Sequence, residues 1–221
     1  MVYSQKLRES FPDITLQAED LLLLETFQIS YLPERVAKKE FADLIIYNKH
    51  PDLFDSMGKI RWDIKEITAV ASLEGKIVAD VGPGSGRIAF LVAPYAQTVF
   101  AVEPTASFRS FMREKGIKQE VKNLFVMDGT LDSIPLPDDS LDVLITSNAI
   151  GWDLNRELKE IERVVKPGGT SIHLLYSEAK HEDSYHETLI SSSWNYDYTR
   201  IKLEKTIKTT YYKRITDKIL P

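Results

Sequence analysis

The sequence predicts an α/β fold: a doubly wound, mostly parallel sheet, preceded by a helical segment and finished by an antiparallel strand pair. Three observations point there. Short β-branched runs without polar alternation recur at residues 77–81, 98–102, 124–127, 143–146 and 171–176, as strands buried on both faces do. Helical apolar patterns separate several of them, which in a parallel sheet demands right-handed crossovers and helices on both faces. Near the end, Ile201 and Leu203 alternate with Arg200, Lys202 and Glu204, the period of half-exposed strands, and two such stretches follow each other closely.

A chain of 221 residues, 43% hydrophobic and 28% charged, suits one substantial core rather than two. We expect a single domain in which residues 1–74 form a helical extension and lid and residues 75–221 form the ligand-binding core. No apolar run approaches the roughly 20 residues of a membrane span. Residues 21–24 are apolar but flanked by Glu19, Asp20 and Glu25, which argues against a signal peptide. Cysteine is absent, which excludes disulfides, thiolate zinc sites and a cysteine nucleophile and fits a cytoplasmic location. The net charge of −5 argues against a nucleic-acid partner. The Lys and Arg residues clustered at 198–218 read as a solvated strand face.

Taken in order, Ala37, Phe41, Leu44 and Ile45 share one face of a helix that Pro33 and Glu34 can start and Pro51 interrupts. Ile60, Ile64, Ile67 and Ala71 mark a second helix, with Gly75 as its C-cap. The strand at 77–81 carries Asp80, and the turn Gly82-Pro83-Gly84-Ser85-Gly86 follows at once. Glycines there tolerate positive φ and leave no Cβ between backbone and ligand, at the carboxyl end of a strand where open parallel sheets bind ligands. Gly84, Gly86 and Ala89 satisfy G-x-G-x-x-[GA], a turn shared by nucleotide cofactors of different chemistries and also by tight turns that hold nothing. The next strand leads into Glu103, roughly 20 residues past the first glycine, where a carboxylate can accept both ribose hydroxyls. That position suits NAD and S-adenosylmethionine equally. Phe108, Phe111, Met112 and Lys115 share a helical face before Gly116, and Leu154, Leu158, Ile161 and Val165 share another before Pro167. Asp142 opens its strand at the end away from the expected pocket and reads as structural.

Four blocks carry a resemblance: "VADVGPGSG" at 78–86, "VFAVEP" at 99–104, "FVMDGTLDSIPLPDDSLDVLITSNAIGW" at 125–152 and "LKEIERVVKPGGTSIHL" at 158–174. They resemble the class I S-adenosylmethionine-dependent methyltransferases, Rossmann-like enzymes, and most of all the small-molecule branch related to quinone-biosynthesis methyltransferases. The last two blocks are the specific ones, with an acidic residue after the third strand, a P-x-x-D-x-S-x-D turn and E-R-V-V-K-P-G-G before the fifth strand. The resemblance implies S-adenosylmethionine as cofactor and methyl transfer to a small molecule. It places Gly82, Pro83, Gly84, Ser85 and Gly86 against the methionine part and ribose, with Asp80 ordering that loop. Glu103, beside Pro104, would take the ribose hydroxyls, and Asp128 the adenine amino group, with the Gly129 backbone beside it. Ser147 and Asn148 would lie near the transferred methyl. Asp80 also reads as a simple cap, and Asp128-Gly129 as an ordinary turn pair. Lys166-Pro167-Gly168-Gly169 would be a strand-entry turn, and Arg163 would pair on its helix. Two other functions stay open: a cofactor-binding protein without transferase activity, and a methyltransferase of RNA or protein.

The chemistry needs collinear placement of nucleophile and methyl in a dry pocket, and a general base only where the acceptor is protonated at neutral pH. No catalytic residue follows from the sequence. The histidine that many relatives carry after the fourth strand is replaced by Ala149-Ile150-Gly151-Trp152. His173 reads as a core histidine, His181 and His186 are spaced poorly for a shared helical face, and His50 reads as an exposed loop residue. A [DN]-P-P-[YFW] tetrapeptide, expected for amino-group methylation of adenine or glutamine, is absent. A metal is not expected, because only Glu178 lies near a ligand position of the catechol type. Trp152 is the first candidate for substrate contact, followed by Tyr31, Tyr47 and Trp62.

Overall fold

The computed structural model describes residues 49–57, 61–178 and 185–216. The apolar runs become β1 (Ile77–Val81), β2 (Thr98–Val102), β3 (Leu124–Met127), β4 (Leu141–Ser147) and β5 (Val165–Glu178). The alternating tail becomes β6 (Asp197–Lys202) and β7 (Thr206–Arg214). All seven join one sheet in the order β3-β2-β1-β4-β5-β7-β6. The first five are mutually parallel, whereas β7 runs antiparallel to both β5 and β6. The order reverses between β1 and β4, so the loops after these strands flank the crevice where doubly wound sheets bind ligands.

Among the described residues the helices are α1 (Pro51–Met57), α2 (Ile64–Thr68), α3 (Arg87–Val92), α4 (Ala106–Lys118), α5 (Leu154–Val164) and α6 (His186–Ile190). They cover both faces. On one face Ile67, Ile88, Val92 and Met112 pack on Val78, Val99, Val143 and Ile172. On the other, Leu158, Ile161 and Leu189 pack on Ala79, Val81, Leu144 and Tyr211. Strand alternation sends Val78 to one core and Ala79 to the other, which is why these strands show no polar period.

Three boundaries differ from expectation. The second helix is short: Asp63 caps it, accepting from the Lys65 N–H at 2.9 Å while Glu66 accepts from the Asp63 N–H at 2.7 Å. Its C-cap is Ala69, not Gly75, and Gly75 instead takes φ +68° in the turn before β1. Gly116 does not end its helix either; α4 runs on to Lys118, and Glu120 supplies the left-handed residue, φ 54°, that stops it. Val165 leaves the helical face to start β5. Between Val165, opposite Leu141, and Thr170, opposite Val143, residues 166–169 bulge out of register. A Cβ on Gly169 would stand 2.7 Å from Val165 Cγ1 and 2.8 Å from the Asp142 carbonyl, so the bulge needs glycine there.

Polar side chains tie these elements. The Asp142 carboxylate accepts the Ile77 N–H at 2.8 Å and lies 3.4 Å from Lys166 Nζ. Arg163 pairs with Glu160 on its own helix at 2.6 Å and reaches Asp138 and the Leu136 and Ile134 carbonyls in the loop before β4. His173 sits inside the core with Thr146 Oγ1 2.8 Å from Nδ1 and the Tyr196 hydroxyl 3.1 Å from Nε2. Burial lowers its pKa to about 3, which keeps it neutral at physiological pH.

The basic tail is less uniform than its alternation predicts. All six residues of β6 are exposed, Arg200 and Lys202 included. Lys208 on β7 is buried: its ammonium donates to Glu66 Oε2 at 2.6 Å and to the Arg61 carbonyl at 3.1 Å, and stands over the Trp62 ring at 4.4 Å. Strand β7 lies between β5 and β6, and its middle, Lys208, Thr209, Thr210 and Tyr211, is buried, whereas Arg214 at its end is exposed.

Candidate functional site

Beyond the carboxyl ends of β1, β2 and β4 lies a cavity of about 1140 Å3. Asp80, Gly82, Pro83, Gly84, Glu103 and Pro104 line it, as do Ser147 and Asn148. Asp80 is fully buried, and neither of its carboxylate oxygens has a hydrogen-bond partner. Burial raises its pKa from an ordinary 3.8 to about 7; the nearby Ala89 N–H opposes the rise without making a full hydrogen bond, and the Glu103 charge adds to it.

The glycine turn wraps the strand tips together. Gly82, at φ +70°, donates its N–H to the Val102 carbonyl at 2.9 Å. Gly84, at φ +56°, donates to Glu103 Oε2 at 3.0 Å, and Thr105 donates its N–H to Oε1 at 2.8 Å. The backbone amides of two loops thus aim the Glu103 carboxylate, 5% exposed, while each oxygen keeps a lone pair for a ligand. Burial raises the Glu103 pKa, and the Thr105 and Gly84 amides oppose the rise. Ser85 and Gly86 are buried behind the turn rather than on the cavity wall. Gly86 is the N-cap of α3 at φ +84°, and Ser85 Oγ has no partner.

Asp128 and Gly129 stand beside the cavity, not among its lining residues; Thr130, Leu131 and Asp132 from the same loop do line it. The Asp128 carboxylate accepts from Arg109 Nη1 at 3.0 Å, and that guanidinium also holds the Glu103 and Pro104 carbonyls at 2.8 and 2.6 Å. Gly129 is packed tightly, since a Cβ there would meet Pro135 Cδ at 2.6 Å.

On the opposite wall Asn148, at φ +50°, accepts the Tyr176 N–H at 3.1 Å through Oδ1 and so joins the ends of β4 and β5. Glu157, nearly buried on α5, accepts the N–H groups of Gly151, Trp152 and Asp153 at 2.7, 2.9 and 3.2 Å. It fixes the loop that leaves Trp152 97% exposed at the cavity rim. Trp62 lines the cavity as well and packs in the core. Tyr31, Tyr47 and His181 lie outside the described residues. His50 precedes α1 and is half-buried, with Nε2 enclosed and unpartnered, rather than exposed.

Sequence reasoning missed several lining residues: Phe54 and Asp55 of α1, Arg61, Arg87, Lys115 and Glu157. Arg87 carried a usable signal, a charge directly after the third glycine. The others reach the cavity through contacts between distant segments, which no local spacing encodes.

Residues 79–173 match a family model described as a methyltransferase domain. An uncharacterized methyltransferase of Bacillus subtilis, YcgJ, is 35% identical over 42% of this chain and 37% of its own length. The ubiquinone/menaquinone biosynthesis C-methyltransferase UbiE of Shewanella frigidimarina is 28% identical over 55% of this chain and 51% of its own. The chain therefore spans between a third and a half of these curated relatives. A crystal structure of a SAM-dependent methyltransferase from Aquifex aeolicus shares the fold, with a TM-score of 0.55 and 18% identity over 76% of this chain and 92% of that one.

Proposed function

We propose, from the match of residues 79–173 to a methyltransferase domain and the shared Rossmann-like fold, that the chain is a class I methyltransferase that transfers the methyl group of S-adenosylmethionine to a small-molecule acceptor by in-line displacement. The observation that carries the proposal is Glu103, a buried carboxylate held by the Gly84 and Thr105 amides at the edge of the cavity. Two adjacent ribose hydroxyls need two aimed acceptors, and this carboxylate offers them.

The remaining residues suit the same cofactor. Gly82 and Gly84 line the cavity beside its methionine part and ribose, within the loop Gly82-Pro83-Gly84-Ser85-Gly86. Asp80, buried without a partner, favours a cationic neighbour. Asp128 and Gly129 approach the adenine from the turn leading into Thr130, and Ser147 and Asn148 flank the reacting end. Bound there, the cofactor supplies an electrophilic methyl on a sulfonium. The chain's own work is to hold the acceptor on the far side of that methyl, at about 3–3.5 Å and in line, and to exclude water. Trp152 and Tyr176 at the rim, with Trp62 deeper in, offer flat surfaces for an acceptor with an apolar body. Among the described residues no histidine lines the cavity, and the proposal assigns no general base; an acceptor whose nucleophile is already ionised or carbanionic needs none. No helix among the described residues is long and apolar enough to cross a membrane, and we place the reaction in the cytoplasm.

Calorimetry tests the cofactor. S-adenosylhomocysteine is expected to bind and NAD is not; tighter binding of NAD overturns the reading. Glu103→Ala is expected to weaken S-adenosylhomocysteine by about 1.5–3 kcal/mol, the worth of hydrogen bonds to a charged group, or roughly 10- to 150-fold. A labelled methyl donor incubated with a metabolite library then identifies the acceptor.

A further inference from the structure

Helix α1 caps the glycine turn. The Phe54 ring lies where a side chain on Gly84 would go, with Cε1 only 2.9 Å from the Cβ that glycine lacks. The same ring meets Phe108 of α4 edge-on at 5.0 Å and carries the Arg87 guanidinium at 5.1 Å from its centroid. The next residue, Asp55, pairs through Oδ2 with Lys115 Nζ at 2.9 Å.

Two polar atoms in this corner are left over. Asp55 Oδ1 and Arg87 Nη1 are both buried and neither has a hydrogen-bond partner, although both side chains line the cavity. An enclosed polar atom of a charged side chain left without a partner is costly, because it has lost its water and gained nothing in return. Their opposite charges are not spent on each other, because the carboxylate's ion pair is with Lys115. An occupant that satisfies both must present a donor to Asp55 and an acceptor to Arg87, on the two sides of the Phe54 ring that carries Arg87 and precedes Asp55, beside the glycine turn. A free α-amino acid group does this, with ammonium and carboxylate on one carbon.

We infer that Asp55 and Arg87 form a clamp for the α-amino acid end of the cofactor, Asp55 taking the ammonium and Arg87 the carboxylate. This rests on the S-adenosylmethionine reading and extends it: α1, which lies before the matched domain, becomes part of the cofactor site. Phe54 sets the geometry, since one ring orients the guanidinium and covers the glycine turn.

The test compares two ligands that differ only at that end. S-adenosylhomocysteine carries the amino acid; 5′-methylthioadenosine keeps the nucleoside and sulfur and lacks it. Each is titrated calorimetrically into the wild-type chain, Asp55→Asn and Arg87→Met. Both variants are expected to weaken S-adenosylhomocysteine by about tenfold or more and to leave 5′-methylthioadenosine within about twofold. A partly unfolded variant lowers both ligands together, so the ratio of dissociation constants reads the clamp and not the fold. Equal losses for the two ligands, or no loss for either, overturn the clamp while the cofactor reading stands. Failure of the wild-type chain to bind either ligand overturns the cofactor reading, and the clamp with it.

Discussion

Asp80→Asn should stabilise the ligand-free protein at pH 8.5 by as much as roughly 4 kcal/mol and leave it unchanged near pH 4. Burial lifts the Asp80 carboxyl from 3.8 to about 7. Between those values the folded chain holds a proton that the unfolded chain has released, so stability falls as pH rises from about 4 to 7. Above 7 the folded state carries a buried charge without a hydrogen-bond partner. Asparagine has the same shape and no charge, and it removes that penalty. The gain comes with a functional cost. A cationic ligand beside Asp80 favours its ionised form, so in the wild-type chain cofactor affinity should rise with pH up to about 7 and then level, with proton release visible as buffer-dependent binding heats. The variant should lose that pH dependence and bind about tenfold or more weakly above pH 7. Urea unfolding at pH 4 and 8.5 reads the stability, and a variant less stable than wild type at pH 8.5 refutes the account.

The second large effect belongs to Gly82. An alanine there would hold φ +70° and place its Cβ 2.4 Å from the Ala149 Cβ. The left-handed conformation costs about 1–2 kcal/mol and the overpacking a further 1–3, for a total of about 2–5 kcal/mol. Ala149 begins the loop that Glu157 pins, so the strain passes to the rim that bears Trp152. Gly75→Ala is the matched comparison, because φ there is +68° and a Cβ meets nothing within 4 Å. It should cost only the conformational part. Equal losses in the two variants, measured by urea unfolding, would show that the approach of the glycine turn to the fourth-strand loop carries no weight.

The parts of the molecule that were legible in the sequence share a cause. Strands buried on both faces are apolar along their length, so β1, β2 and β4 announced themselves; β3, at the sheet edge, and β5 were marked by shorter apolar runs, and the right-handed crossover rule supplied their direction. The glycine turn and Glu103 were legible for a related reason: they sit within a residue or two of strand ends, where local spacing maps directly onto space. Helix ends were harder. Glu120 stops α4 by adopting a left-handed conformation that any reading of composition assigns to the neighbouring glycine. The α1 corner was out of reach, since Asp55 meets Lys115 across 60 residues. Lys208 misled for the same reason. Its alternation with apolar neighbours was real, but Trp62, Glu66 and Arg61 cover the face on which it sits, and those lie far away in the sequence.

That lysine also links parts of the chain made at different times. It grips Arg61 and Glu66 across 147 and 142 residues. On the ribosome the glycine turn and the first strands emerge and can pair long before β7 is synthesised, as early-emerging units generally do. Until then the Trp62 wall lacks the ammonium above its ring. A nascent chain stalled before Thr206 would therefore carry the glycine turn and Glu103 while its Trp62 wall still stood without that cation.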